Sequence, residues 1–341
     1  MDSVTEGRGA GKAPEQFQYA APSRFETGSD DIQRISGPRE IWQHFSANKG
    51  AVFGLIFVAI IVFLAIFGPY FNEYAYDATE LARQNLPPRI PGLEKLGIFN
   101  GMKDGVNLYE KKGYADCYFW FGTDSLGRDL FTRFCEGTRV SLIVAVVAAS
   151  MEMFIGITYG MISGYCGGAV DIVMQRITEL ISGIPSLVIV ILLLVVMKPG
   201  LTTIIIALAI SEWISMSRLV RAQTFRLKEM EYVLAAKTLG ESMWKILFSE
   251  ILPNLMGSVI VMGMMSIPSA IFMESFLSFI GLGIPAPQAS LGSLINSGYG
   301  MMLSAPYQLI IPTVLFTLLM ISLNLIADGL RDAIDPQQKT V

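Results

Sequence analysis

Histidine and cysteine are scarce in this chain, and their scarcity excludes several kinds of site. One histidine, His44, and three cysteines occur among 341 residues. A metal centre needs several donor side chains, so we expect no bound metal and an interfacial or solvated role for His44. Three cysteines do not form a disulfide framework either. One bridge, between Cys117 and Cys135, is conceivable and stays open, with Cys166 left over.

Charge is also sparse, at 16% of residues against 52% hydrophobic ones, and the net charge is only −4. Nothing in this balance suggests a nucleic-acid partner. A nucleotide-binding loop is missing too, because GRGAGK (7–12) stands beside Glu6 and Ala13, where a phosphate loop needs glycine and a hydroxyl residue. No nucleophile lies in a pattern with a base. The sequence therefore predicts a protein that is not itself an enzyme and binds no cofactor.

Long apolar runs are what the chain has in abundance. A membrane-spanning helix needs about 20 apolar residues. Six runs reach this length, at 50–69, 138–164, 177–197, 201–220, 257–280 and 307–327. Each is expected to be helical, because lipid offers no hydrogen-bond partner to an exposed backbone. The sequence therefore predicts an all-α polytopic membrane protein with six transmembrane helices.

The parts outside these runs complete the predicted organisation. In chain order we expect a disordered cytoplasmic tail (1–35), an amphipathic helix with the first span (36–69), an extracytoplasmic segment (70–137), a core of five spans (138–328) and a cytoplasmic tail (329–341). The amphipathic helix is expected to lie on the inner membrane surface, with Trp42 and Phe45 at the lipid interface. No role is assigned to residues 78–118.

The distribution of lysine and arginine sets the predicted orientation. Between spans four and five the chain carries Arg221, Arg226, Lys228, Lys237 and Lys245. The connection between spans five and six, residues 282–305, has no lysine or arginine. Basic loops stay in the cytoplasm, so the first connection is expected inside and the second outside. With six spans, both termini are then cytoplasmic.

A polar stretch within the predicted cytoplasmic loop 222–256 has the features of a docking element. EYVLAAKTLG (231–240) places Ala235, Ala236 and Gly240 at spacings that can share one helix face. Small side chains on that face would let another protein approach closely. We therefore expect Gly240→Arg to uncouple a docked partner while leaving membrane insertion intact. The alternative is a surface helix that packs only on its own bundle.

Three further residues frame this stretch. Glu231 opens it, and Leu252 with Pro253 comes later, where the next span is predicted to begin. Proline is tolerated in the first turn of a helix, so Pro253 is expected to start the fifth span.

Four acidic residues fall at apparent membrane depth, namely Glu152, Glu179, Glu212 and Glu274. A charge at the bilayer centre costs at least about 2.5–3.5 kcal/mol, so each should face protein or water. One interpretation is a translocation path that holds a polar or cationic substrate group, such as a peptide amino terminus. The other is pairing with a partner subunit or a helix end. Glu179 is expected near the cytoplasmic boundary.

The segment before the second span contains FGTDSLGRDLFTRFCEGTRVSL. Gly122 and Gly127 predict turns, and Asp124 is expected to cap the helix after them. A structured re-entry into the membrane is favoured over direct contact with a substrate.

Several blocks together resemble a known family. They are SGPREIWQHFSANKGAVFGL before the first span, the FGTDSLGRD block before the second, the polar stretch 231–253, MESFLSFIGLGIPAPQASLG (273–292) and LNLIADGLRDAIDP (323–336). The chain resembles the second (C-type) permease subunit of dipeptide/oligopeptide or nickel ABC importers, and the stretch 231–253 resembles their EAA loop. One departure stands out: Leu234 occupies the place where the general EAA pattern has glutamate.

The resemblance implies the type I ABC importer permease fold in a prokaryotic inner membrane. It also implies a heterodimer with a second six-span permease, two ATPase subunits that bind ATP and Mg²⁺, and an extracytoplasmic substrate-binding protein. Oligopeptides or dipeptides are the expected cargo. Nickel or another small solute of the same family stays open. So does a different class, an ion-coupled secondary transporter.

Overall fold

The computed structural model describes residues 37–334, which form helices joined by loops and one short hairpin. The helices are α1 (Pro38–Ala47), α2 (Lys49–Phe67), α3 (Leu108–Lys111), α4 (Leu130–Cys166), α5 (Gly168–Ser182), α6 (Ser186–Val196), α7 (Leu201–Ser211), α8 (Trp213–Leu227), α9 (Glu231–Thr238), α10 (Met243–Lys245), α11 (Leu252–Phe279), α12 (Leu291–Gly300) and α13 (Tyr307–Ile334). Strands β1 (Met102–Lys103) and β2 (Val106–Asn107) pair antiparallel. The predicted tail 1–35 and residues 335–341 lie outside the described residues.

Five helical stretches are long and apolar enough to cross a membrane. They are Lys49–Tyr70, Leu130–Cys166, Leu201–Leu227, Met243–Phe279 and Tyr307–Ile334. The pair α5 and α6 passes the same test jointly and makes a sixth span only if it crosses as one unit. The prediction of an all-α polytopic membrane protein is confirmed.

The third predicted span, 177–197, differs from a single helix. It is divided between α5 and α6, whose axes meet at 78°. The break falls at Gly183–Pro185, because proline has no backbone N–H to donate and disfavours a helical conformation in the residue before it. At 1.5 Å per residue, α6 alone is about 16 Å long, roughly half the apolar thickness of a bilayer.

A seam of glycines joins α4 to α8 along the second half of α4. Gly156, Gly160 and Gly164 are spaced four residues apart, so they face one side of the helix. A methyl group on Gly160 would lie 2.5 Å from the Ser217 carbonyl oxygen, and one on Gly164 would lie 2.7 Å from the Thr224 Cβ. Small residues in membrane helices permit such close backbone approach. The seam therefore fixes the register of α4 against α8.

Residues 71–129 fold around a small core of their own at the amino-terminal end of α4. Its fully buried side chains are Leu86, Tyr109 and Phe119. The Arg83 guanidinium lies over the rings of Tyr74, Tyr114 and Phe119, 5.3–5.8 Å from their centroids. These cation–π contacts keep the arginine against the aromatic cluster.

The FGTDSLGRD block forms the turn that returns the chain to the bundle. Gly122 and Gly127 have φ of 78° and 76°, a left-handed conformation that favours glycine. A Cβ on Gly127 would also lie 1.9 Å from the Glu80 carbonyl oxygen. The Tyr307 hydroxyl donates to the Thr123 carbonyl over 3.0 Å, which ties the turn to α13. The block is therefore ordered and packed against the bundle, and its re-entry into the membrane stays a prediction.

The helix after this block begins earlier than predicted, and a different residue caps it. Asp124 accepts the Leu126 and Arg128 backbone N–H groups, each over 2.9 Å, and so closes the turn. Asp129 is the N-cap, because its carboxylate accepts the Thr132 N–H over 2.8 Å. With this cap, α4 starts at Leu130 rather than at residue 138. Residues 130–137, which the sequence analysis placed in the extracytoplasmic segment, are therefore helical.

The predicted amphipathic helix is α1, but its two aromatic residues face different surroundings. Trp42 is 59% exposed, whereas Phe45 is buried with Ala51 and Ile326 of the bundle. The expectation that Phe45 lies at the lipid interface is therefore wrong: it anchors α1 to α2 and α13.

His44 is exposed. All three cysteines are free, with Cys135 buried inside α4.

Candidate docking helix and polar cavity

The polar stretch between α8 and α11 folds into the short helix α9, which is anchored on one side. Val233 and Ala236 are buried. They belong to an apolar cluster that also contains Leu227, Ile246 and Leu247 from the segments before and after α9. Hydrophobic packing on both flanks therefore holds α9 to the end of the bundle opposite residues 71–129.

The other side of α9 is exposed, and its composition differs from the prediction. Glu231 and Ala235 lie on the exposed face, but Ala236 is only 8% exposed. Adjacent residues in a helix are about 100° apart, so Ala235 and Ala236 cannot both point outward when one is packed. The expectation of a shared exposed face is corrected for Ala236.

Two leucines on this exposed surface were missed by the sequence reasoning. Leu234 is 47% exposed, and Leu239 at the end of α9 is 83% exposed. The available signal was the position of Leu234, which replaces the expected glutamate, in a stretch otherwise rich in polar residues. Partial burial raises the pKa of the Tyr232 phenol on the flank of the helix. We name Glu231, Leu234, Ala235 and Leu239 the outer face of α9.

Gly240 ends α9 for a reason of backbone geometry. Its φ is 79°, and its N–H donates to the Lys237 carbonyl over 3.1 Å. The Glu241 N–H donates to the Ala236 carbonyl over 3.2 Å. This pair of bonds is a Schellman motif, which needs a left-handed residue that is usually glycine. No atom lies within 4 Å of a Cβ built on Gly240, so its outer side is open.

The segment around Leu252 and Pro253 corrects the predicted start of the fifth span. The helix begins at Met243, where the Ser242 hydroxyl accepts the Lys245 N–H over 3.4 Å. Between Ile246 and Ile251 it widens into a π-helix before α11. Pro253 is in the first turn of α11, as predicted, but α10 and the π-helix precede it, so the continuous helical stretch begins at Met243. In a π-helix each backbone hydrogen bond spans five residues instead of four, and this change comes just before Pro253, which has no N–H to donate.

A cavity of about 280 Å³ lies between α4, α8 and α11, with a largely apolar wall that includes Met262 and Met265. Glu152 and Glu212 both line it, together with the serines Ser215, Ser266 and Ser269. Glu152 is only 6% exposed. Neither carboxylate forms an ion pair with a residue of the range 37–334. The structure thus brings two of the predicted acids to one cavity.

Glu274 is separate from that cavity and fully buried. The hydroxyls of Ser141 and Ser278 each donate to its carboxylate over 2.7 Å, and Ser275 donates over 3.3 Å. Ser141 in turn accepts the Leu291 N–H at the start of α12 over 3.3 Å. Ser141 therefore lies between Glu274 and this helix end, and the carboxylate is satisfied by serine hydroxyls.

The fourth acid, Glu179, lies outside both environments. It is on the exposed side of α5, where Arg176 pairs with it over 2.6 Å.

Spanning helices with a cavity between three of them, and a short half-exposed helix at one end, are those of a polytopic membrane protein. A model described as "Binding-protein-dependent transport system inner membrane component" matches residues 156–340. A second, described as "N-terminal TM domain of oligopeptide transport permease C", matches residues 38–88. The chain belongs to the family of inner membrane components of binding-protein-dependent transport systems, and it is a multi-pass inner membrane protein.

Relatives match over nearly the whole chain. The oligopeptide transport system permease protein OppC of Bacillus subtilis is 40% identical over 94% of this chain and 96% of its own length. The dipeptide transport system permease protein DppC of the same organism is 41% identical over 91% of this chain and 89% of its own length. OppC of Escherichia coli K12 is 36% identical over 88% and 93%, respectively.

Among solved structures, the inward-facing MetNI methionine ABC transporter matches 58% of this chain and 96% of its own at 16% identity, with a TM-score of 0.45.

Proposed function

We propose that this chain is one of two transmembrane permease subunits of an ATP-driven importer for oligopeptides or dipeptides. One observation carries the proposal: relatives named for oligopeptide and dipeptide transport align with about nine-tenths of the chain or more, at 40% and 41% identity. A nickel or other small-solute importer of the same family is not favoured by these relatives. Neither is an ion-coupled secondary transporter.

The proposed assembly contains four kinds of protein. A second six-span permease completes the translocation path, two ATPase subunits drive it, and an extracytoplasmic binding protein delivers the cargo. ATP and Mg²⁺ bind to the ATPases, and this chain carries no catalytic residue. The basic residues around α9 support a cytoplasmic location for that end of the bundle and, with six spans, for both termini.

The outer face of α9 is the proposed docking surface for an ATPase subunit. Its packed side holds it to α8 and to the helix from Met243, so a push on the outer face reaches two spanning helices at once. Leu234 and Leu239 give this surface exposed apolar side chains, whose removal from water on docking would be favourable. Leu252 and Pro253 belong to one of these two spanning helices, the stretch that begins at Met243, which a displacement of α9 would move.

The cavity lined by Glu152 and Glu212 is the proposed part of the translocation path that this chain supplies. Two carboxylates without a cationic partner suit a substrate that carries positive charge, and every peptide with a free amino terminus does so at neutral pH. Three serine hydroxyls add adaptable hydrogen bonds. Glu274 is left out of the path, because its oxygens are already satisfied by serines.

Replacing Glu152 with glutamine is expected to slow uptake of peptides with free amino termini about tenfold, and N-acetylated peptides less. A hydrogen bond to a charged group contributes about 1.5–3 kcal/mol, which a neutral amide largely forfeits. The measurement is radiolabelled uptake by membrane vesicles for both peptide forms. Glu179→Gln, on the exposed side of α5, is the matched control and should transport normally. An equal loss for both peptide forms would contradict the role of the carboxylate.

Co-purification tests the proposed function as a whole. The tagged chain is extracted in mild detergent, and the proteins recovered with it are identified. Recovery of a second permease and one or two ATPases, with ATP-dependent uptake after reconstitution, is the expected result. Recovery of this chain alone, active in liposomes without ATP, would overturn the importer proposal.

A further inference from the structure

Helix α5 is attached to the bundle in an unusual way. Its only two buried residues are polar, Asp171 and Thr178. The apolar residues Ile172, Val173 and Leu180 are instead 60–74% exposed. Polar contacts, rather than apolar packing, therefore fix the position of α5. This matters because α5 leads directly into the break at Gly183–Pro185.

The main contact is an ion pair between α5 and α8. The Arg221 guanidinium donates from Nε to Asp171 Oδ1 over 2.5 Å and from Nη2 to Oδ2 over 2.6 Å. Ser163 of α4 also donates to Asp171 Oδ1 over 2.5 Å. A fork of two parallel hydrogen bonds fixes orientation as well as distance. Three helices thus meet at one carboxylate.

The same region is tied closely to α9. The Lys228 ammonium donates to the Gly164 carbonyl over 2.8 Å, which holds the end of α8 to the end of α4. Arg221 and Lys228 both lie over the Phe225 ring, at 4.8 and 4.1 Å from its centroid. Only two residues separate Lys228 from Glu231, where α9 begins. A displacement of α9 therefore reaches Arg221 through one short and braced stretch of chain.

Stability alone does not account for this pair. The Arg221 side chain is 30% exposed and that of Asp171 is 11% exposed, and an ion pair that reaches water adds little to stability. An apolar contact would also slide more freely than a bidentate pair. The pair is therefore suited to keep α5 and α8 in one fixed relation while the bundle moves.

We propose that Asp171 and Arg221 are positioning residues for transport, and that their ion pair carries displacement of α9 to the broken helix pair α5–α6. The proposal rests on the proposed function, since it assumes that an ATPase moves α9. Loss of the pair should leave ATP hydrolysis running while less substrate crosses per ATP.

The test measures transport and ATP hydrolysis together in the reconstituted complex. Asp171→Asn keeps the size of the side chain but removes its charge. In the assembled complex we expect it to lower the number of peptides moved per ATP several-fold, because the bidentate contact that links α5 to α8 is lost. Arg221→Lys, which keeps the charge without the fork, should lower this ratio less. The exchanged pair Asp171→Arg with Arg221→Asp should recover part of the ratio.

The control is the exposed pair on the same helix, Arg176 with Glu179, whose side chains are 74% and 55% exposed. Glu179→Gln should leave the ratio unchanged. Normal peptides per ATP in Asp171→Asn would overturn the proposal. If Asp171→Asn fails to assemble, Arg221→Lys decides instead: an assembled variant with a normal ratio overturns the proposal equally. Absence of ATP-dependent uptake in the wild-type complex would overturn the proposed function itself, which separates the two failures.

Discussion

Leu234→Asp is expected to release the ATPase subunits from this chain and abolish uptake. Leu234 lies on the outer face of α9, is 47% exposed and makes no contribution to the buried cluster beneath the helix. Burying a leucine side chain contributes about 1.5–3 kcal/mol, so an aspartate that must lose its hydration there should weaken binding at least about tenfold. The measurement is the amount of ATPase recovered with the tagged permease.

The matched control places the same substitution at the opposite end of the bundle. Leu303 is 95% exposed in the loop before α13. Leu303→Asp should retain the ATPases, because no docking helix lies there. Full ATPase recovery with Leu234→Asp would contradict the docking surface.

Gly240→Arg tests docking less cleanly than the sequence analysis suggested, since an arginine at φ of 79° strains the backbone as well as adding bulk.

Gly160→Val is expected to lower the folded yield of the bundle several-fold. Its Cβ would lie 2.5 Å from the Ser217 carbonyl oxygen and 3.0 Å from the Arg221 nitrogen, both backbone atoms that cannot rotate away. Overpacking a well-packed interior costs about 1–3 kcal/mol, and backbone displacement adds to it. A loss of that size lowers the abundance of a protein several-fold. The measurement is the folded fraction in size-exclusion chromatography after extraction.

Gly300→Val provides the comparison for this variant. Gly300 also lies in a helix, but nothing lies within 4 Å of a Cβ built there. Its chromatographic profile should match the wild type. A normal profile for Gly160→Val would show that α4 and α8 can separate without cost, contrary to the glycine seam.

The spans and their helical nature were predictable because lipid imposes a single requirement on every residue of a long apolar run. No tertiary information is needed to know that such a run must satisfy its own hydrogen bonds. The broken helix α5–α6 shows where this reasoning weakens. Gly183 and Pro185 signal a bend, but its angle of 78° depends on what the two halves pack against.

Helix ends were predicted less well, since several residues compete to cap them. Asp124 and Asp129 are the same residue type in one turn-rich block, and either suits an N-cap. Only the folded turn assigns Asp124 to Leu126 and Arg128, leaving Asp129 for α4. The start of the helix at Met243 was missed because Pro253 is a strong local signal for the first turn of a helix. The π-helix before it keeps the chain helical from Met243 onward.

The sequence by itself determined that this protein spans a membrane, which loop is basic and which family it belongs to, because each depends on composition or on blocks read in order. The tertiary structure decided which of the acids share a cavity, since Glu152 and Glu212 are far apart in the chain and Glu274 was an equal candidate. It also decided that Ala236 packs inward while Leu234 faces out. Such assignments depend on how helices rotate against each other, and that rotation is set by contacts between residues distant in the chain.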